Sequence, residues 1–211
     1  MKPFLIIYFW LILAGIGVGL FHFSKLSQSS RISVALLVVT LISEAVAQLL
    51  KVKMSNFPVY HFFIPIQFFL ITISYNAELR SKYLLTIFYA FLAFSVIATF
   101  TFQPLKIFPS YTNLISSFLV IVWSLMFLRA LLKQTSEYSF TQFPLFWISC
   151  GWLMFNILTL FHFGTYNYLL TVKNPVFQSV FRNVRIGANY FLYGCYIISF
   201  LTSQRQIEQH N

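Results

Sequence analysis

Three charged side chains stand inside otherwise apolar stretches of this 211-residue chain: Glu44, Arg182 and Arg185. A charge held in lipid costs roughly 2.5–3.5 kcal/mol at a helix centre on insertion scales, so such groups turn toward the protein interior and find a partner. A carboxylate and two guanidinium groups can pair between helices. The surplus cation then suits an anion, because the Arg fork matches a carboxylate or a lipid phosphate. Gln178, Arg182, Arg185 and Asn189 follow one another at intervals of four, three and four, which sets them on one stripe of a helix. Such a stripe is expected to look inward, at other helices or at water. Gln48 lies one turn from Glu44, and His61, Asn156 and His162 fall at neighbouring levels of two further apolar runs. Together these residues form the candidate ligand-binding set: Arg182, Arg185, His61 and Asn156 touch the ligand, Glu44 balances charge, and Gln48, His162, Gln178 and Asn189 complete the polar surround.

What must position them is a set of membrane helices. Apolar residues make up 59% of the chain and charged residues 9%, whereas about a quarter of an ordinary soluble domain is charged. Apolar runs at about 3–23, 32–50, 57–75, 83–102, 112–130, 142–163 and 176–203 each approach the roughly 20 residues that cross a bilayer. They predict an all-α fold, a polytopic bundle of seven transmembrane helices, with 1–211 as one integral membrane domain. Runs such as IIYFWLILAGIGVGLF and ISVALLVVTLIS are apolar on every side and lack the alternation of a membrane barrel. The first run is too long for a signal-peptide core and reads as a retained span. Glu44 stands six residues before the end of the second run, while Arg182 and Arg185 stand six and nine residues after the start of the seventh. At about 1.5 Å per residue, these positions lie roughly 9, 9 and 13 Å from the same face. Matching depth predicts a Glu–Arg bridge.

The net charge of +10 would point to nucleic acid in a soluble chain. Here the basic residues fall one or two at a time between apolar runs, where helix ends meet lipid headgroups, and no nucleic-acid partner is expected. Lys2, Lys51, Lys53, Lys106 and Lys173 fall on the side holding the N-terminus. The larger set, Lys25, Arg31, Arg80, Lys82, Arg129, Lys133 and Arg205, falls on the other. That bias places the N-terminus outside and the C-terminus in the cytoplasm. Cys150 and Cys195 give neither a disulfide framework nor a zinc spacing. No H-E-x-x-H, G-x-S-x-G or phosphate-binding glycine loop is present, so no catalytic residue, metal or cofactor is expected.

Lesser features concern packing. Gly15, Gly17 and Gly19 permit close approach of the first span to others, and Asn113, Ser116, Ser117 and Ser124 suit helix contacts in the fifth. Pro65 is placed to bend the third span beside Gln67, and Trp152 stands one turn from Asn156, at the edge of the candidate site. NFPVYHFFIPIQ in the third span faintly echoes KNPVFQSVFRNV in the seventh, the spacing a parallel repeat would give.

The segments SEAVAQLL, VYHFFIPIQFFLI, PLFWISCGWLMFNILTLF and VFQSVFRNVRIGANYFL resemble a loosely defined group of small seven-span bacterial inner-membrane proteins. That resemblance implies an inner-membrane location. Retinal proteins also have seven spans, but the seventh here lacks the Lys of a Schiff base, Lys173 lying just before it. Three functions fit the residues: a receptor- or sensor-like module binding an anionic small molecule or lipid headgroup and signalling through a separate partner protein; a small-solute or proton-coupled transporter; or a structural subunit of a membrane complex. Membrane lipid is the partner common to all three.

Overall fold

The computed structural model describes residues 3–52, 55–133, 140–171 and 175–208. Lys2, Lys53, Glu137 and Lys173 lie outside them, as does the side chain of Arg205. The described residues form helices α1 (Pro3–Phe21), α2 (Gln28–Leu50), α3 (Phe57–Leu79), α4 (Lys82–Thr101), α5 (Ser110–Lys133), α6 (Pro144–Gly164), α7 (Tyr166–Thr171) and α8 (Pro175–Glu208), with no strand among them. All but the short α7 are long and apolar enough to cross a membrane. The chain is an all-α, multi-pass membrane protein. In lipid, every backbone N–H and C=O must be satisfied within the chain, and helices do this segment by segment.

Differences from the hydropathy reading arise where helix turns are polar. α2 begins at Gln28 because Ser27 caps it, its hydroxyl accepting the Ser30 N–H at 3.3 Å. α3 continues unbroken through Pro65 to Leu79 and stops at Arg80, whose left-handed φ of 49° ends the helix. α7 lies in the connection between the sixth and seventh apolar runs.

The helices close into a ring. α1 packs on α2 and α8, α2 on α3, α3 on α4 and α5, α5 on α6, and α6 on α8. Gly15 and Gly19, one turn apart on α1, bring it against its neighbours: a Cβ at Gly19 would lie 2.5 Å from Val34 Cγ2 and 3.2 Å from Phe200, whereas one at Gly17 would meet nothing. Val34 is β-branched and cannot swing away. Gly19→Ala is therefore expected to cost about 1–3 kcal/mol and Gly17→Ala less than about 0.5 kcal/mol, read from unfolding curves in detergent.

Polar side chains tie together the half of the bundle away from the N-terminal face. The Tyr75 hydroxyl of α3 donates to Ser149 Oγ of α6 at 3.0 Å and shares a 2.9 Å bond with Ser124 of α5. Trp123 Nε1 donates to Thr72 Oγ1 at 3.3 Å, and its ring stacks on Phe68 with centroids 6.4 Å apart. Phe68 packs in turn on Phe88 and Phe91 of α4. These bonds are the interhelical glue of the fold, satisfied within the protein.

α8 is the outlier in length. Its 34 residues span roughly 51 Å against a hydrocarbon core of about 30 Å. Phe181 stacks on Phe161 and His162, in the last turns of α6 before Gly164. Roughly the first turn of α8 therefore stands beyond the end of α6.

Candidate functional site

Between α1, α2, α3, α6 and α8, toward the N-terminal face, lies a cavity of about 370 Å³. Helical periodicity puts its lining together. From α2 come Thr40, Glu44 and Gln48, spaced by one turn each; from α3, Tyr60, Phe63, Ile64 and Gln67; from α8, Arg185, Ile186, Asn189, Tyr190, Leu192 and Tyr193. α1 contributes Phe4, Leu5 and Tyr8, α6 contributes Trp152, Phe155 and Phe163, and Phe108, Asn113 and Tyr166 complete the wall. Lys51 and Asn56, flanking the α2–α3 connection, form the rim at the face where α1 begins.

Hydrogen bonds fix the frame around this space. Tyr190 Oη donates to the Phe4 carbonyl at 2.8 Å, pinning α8 to the start of α1. The Tyr8 and Tyr193 hydroxyls approach to 3.3 Å, and Trp152 Nε1 donates to Tyr196 Oη at 2.8 Å. Asn189 Nδ2 donates to the Arg185 carbonyl one turn back at 2.9 Å.

Glu44 and Arg185 enter the cavity from different helices. Arg185 is the cation whose field reaches Glu44, and it also acts on Tyr60 and His162. Among the described residues no carboxylate–guanidinium contact within 4.0 Å joins them. The expected bridge is thus an opposition across a space. Tyr8, Tyr60 and Tyr193 surround Glu44 closely enough to interact with it electrostatically.

The candidate residues divide into two groups. Glu44, Gln48, Arg185 and Asn189 line the cavity. The other five do not. His61 is buried, and both its ring nitrogens are engaged, Nδ1 with Thr99 Oγ1 and Nε2 with the Ile107 carbonyl, each at 3.0 Å. It holds α3 to α4 and the following loop. Asn156 donates to the Trp152 carbonyl at 2.8 Å and borders a much smaller pocket of about 20 Å³ beneath the first. His162 is buried among Phe163, Tyr166 and Phe181, with neither ring nitrogen hydrogen-bonded.

Gln178 and Arg182 are exposed, and Arg182 Nη2 donates to Ser179 Oγ at 3.3 Å. This corrects the expectation of an inward stripe along the whole seventh span. The stripe turns inward only from Arg185. At this level Phe181 faces α6, and Arg182, the next residue round the helix, is exposed.

Sequence reasoning passed over Tyr8, Tyr60, Tyr190, Tyr193, Lys51 and Asn56. The tyrosines were hidden among 27 Phe and 12 Tyr, since an aromatic in a membrane span is by default a packing or interfacial residue. Their spacing on α8, one turn after Arg185–Asn189, was the available signal.

Comparison of the chain with models of protein families, with characterised proteins and with solved structures finds no match in any of the three. The resemblance to a bacterial inner-membrane group therefore gains no family match, and what stands of it is the seven membrane-spanning helices.

Proposed function

We propose that this protein is a receptor- or sensor-like binding module of the plasma membrane, a bacterial inner membrane on the resemblance of its segments. Its cavity takes the anionic group of a small molecule or lipid head against Arg185, and occupancy passes to a separate partner protein. One observation carries the reading. The polar groups that hold the helices together are paired with one another in both halves, Tyr75, Ser124, Ser149, Trp123 and Thr72 away from the N-terminal face and His61 with Thr99 near it, while Glu44 and Arg185 face an open space without joining. Buried charge that is not paired is costly and is kept where a ligand or function needs it. The wall is otherwise aromatic, with a few converging polar groups, and 370 Å³ falls within the roughly 300–1,000 Å³ of small-molecule sites. Lys51 at the rim adds a second cation, which favours an anion arriving from that face. Basic residues Lys25, Arg31, Arg80, Lys82, Arg129 and Lys133 gather at the helix ends of the opposite side, supporting a cytoplasmic position for that side.

The test is thermal unfolding of the purified protein in detergent with 3-phenylpropionate and phenyl phosphate. A ligand that binds only the folded chain stabilises it by RT ln(1 + [L]/Kd), about 2.7 kcal/mol at a hundred times Kd. A melting temperature that climbs with the logarithm of concentration for either anion is the expected result. A flat response to both, as a purely structural subunit would give, sinks the reading.

A further inference from the structure

We infer that the ligand of this cavity is dipolar, of the amino-acid or aminophosphate class: its carboxylate or phosphate meets Arg185 and its ammonium group meets Glu44. This rests on the reading of the cavity as an anion site and adds the second pole. Glu44 on α2 and Arg185 on α8 line the same space and act on each other electrostatically without direct contact. An anion lacking an amine would leave the Glu44 carboxylate facing it unpaired, and a cation lacking an acid would do the same to Arg185. A molecule with both ends satisfies both walls and brings no net charge into a low-dielectric space. Lys51 does not alter this balance, because it is exposed at the rim and keeps its water.

The surroundings of the carboxylate fit an ammonium group. Tyr8, Tyr60 and Tyr193 line the same cavity as Glu44, and Tyr8 and Tyr193 stand edge to face with centroids 5.4 Å apart. Aromatic faces attract an ammonium ion, and tyrosine hydroxyls accept its protons. Gln48, which lines the same cavity, carries an amide able to donate a hydrogen bond to the anionic end. Phe63, Phe155 and Trp152 leave room for an apolar body between the poles. The same chemistry is offered by a free aromatic amino acid and by a phosphatidylethanolamine head.

Binding is measured by thermal unfolding with matched probes: phenylalanine, 3-phenylpropionate and phenethylamine, and separately the dihexanoyl forms of phosphatidylethanolamine and phosphatidylglycerol. A charge-assisted hydrogen bond at a desolvated site corresponds to about ten- to a hundredfold in affinity. Phenylalanine, or the ethanolamine lipid, is therefore expected to bind at least about tenfold tighter than its amine-free counterpart. Glu44→Gln is expected to remove that advantage, and its unfolding curve without ligand shows independently that the variant folds. Whichever series gives the advantage names the source. Equal affinity of the amine-free probe, or an advantage that survives Glu44→Gln, overturns the dipolar ligand and leaves the anion site standing. Tightest binding by phenethylamine, or no response to any probe, overturns both.

Discussion

Arg185→Gln is expected to weaken binding of 3-phenylpropionate by about a hundredfold, equivalent to about 2.7 kcal/mol, whereas Arg182→Gln changes it by less than about twofold. The two residues are one turn apart on α8 and chemically identical, so the comparison isolates position. Arg185 is half-buried, lines the cavity and acts on Glu44, Tyr60 and His162. Arg182 is exposed beside Ser179. Removing the partner of a desolvated anion costs about 2–5 kcal/mol, since much of the loss is the anion left unpaired, while an exposed charge is solvated by water or headgroups. Arg185→Lys is expected to recover only part of the loss, because an ammonium cannot offer the paired donors of a guanidinium. Equal losses at 182 and 185 would move the site to the outer overhang of α8, and a loss at 182 alone would remove the cavity from the account.

That contrast also marks how far the sequence could be read. Seven runs of apolar residues suffice for the architecture, because the bilayer imposes one length and one hydrogen-bonding solution on each span. Glu44 was legible for the same reason: an acid in a span is costly and conspicuous. Arg185 and Asn189 were found by helical spacing, and both line the cavity with Glu44 and Gln48. Spacing cannot say where a helix begins relative to its neighbours. Arg182 obeys the same periodicity as Arg185, yet it is exposed while Arg185 is half-buried at the cavity wall.

His61 shows a second limit. A histidine at the right level looks like a ligand until a threonine on the next helix and a carbonyl in the next loop are seen to occupy both its nitrogens. Those partners, Thr99 and Ile107, are nearly 40 or more positions away in sequence and have no pattern linking them to it. Gln103 makes the same point, a polar residue buried in a loop whose amide faces Thr112 in the first turn of α5. Depth and residue type are local properties. Pairing is tertiary, and the distinction between glue and site is a distinction of pairing.

Separating glue from site by measurement calls for one substitution of each kind. Trp123→Ala is expected to cost about 3–5 kcal/mol of stability, the largest effect on folding proposed for this chain. Trp123 is 2% exposed, its indole N–H is bound to Thr72, and its ring lies against Phe68, which is 1% exposed and itself packed on two α4 phenylalanines. Lipid tails offer no hydrophobic gain for helix association, so close packing and internal hydrogen bonds carry it, and truncating this ring removes both at the junction of α3, α4 and α5. Glu44→Gln, by contrast, is expected to leave stability unchanged or raise it, because it removes a charge that has no direct ion-pair partner among the described residues and whose desolvation opposes folding. Tyr75→Phe should fall between, at about 1–3 kcal/mol, through the hydroxyls of Ser124 and Ser149 that it leaves unpaired. Unfolding in detergent reads all three. Were Glu44→Gln to cost as much as Trp123→Ala, the cavity carboxylate would be a structural tie after all.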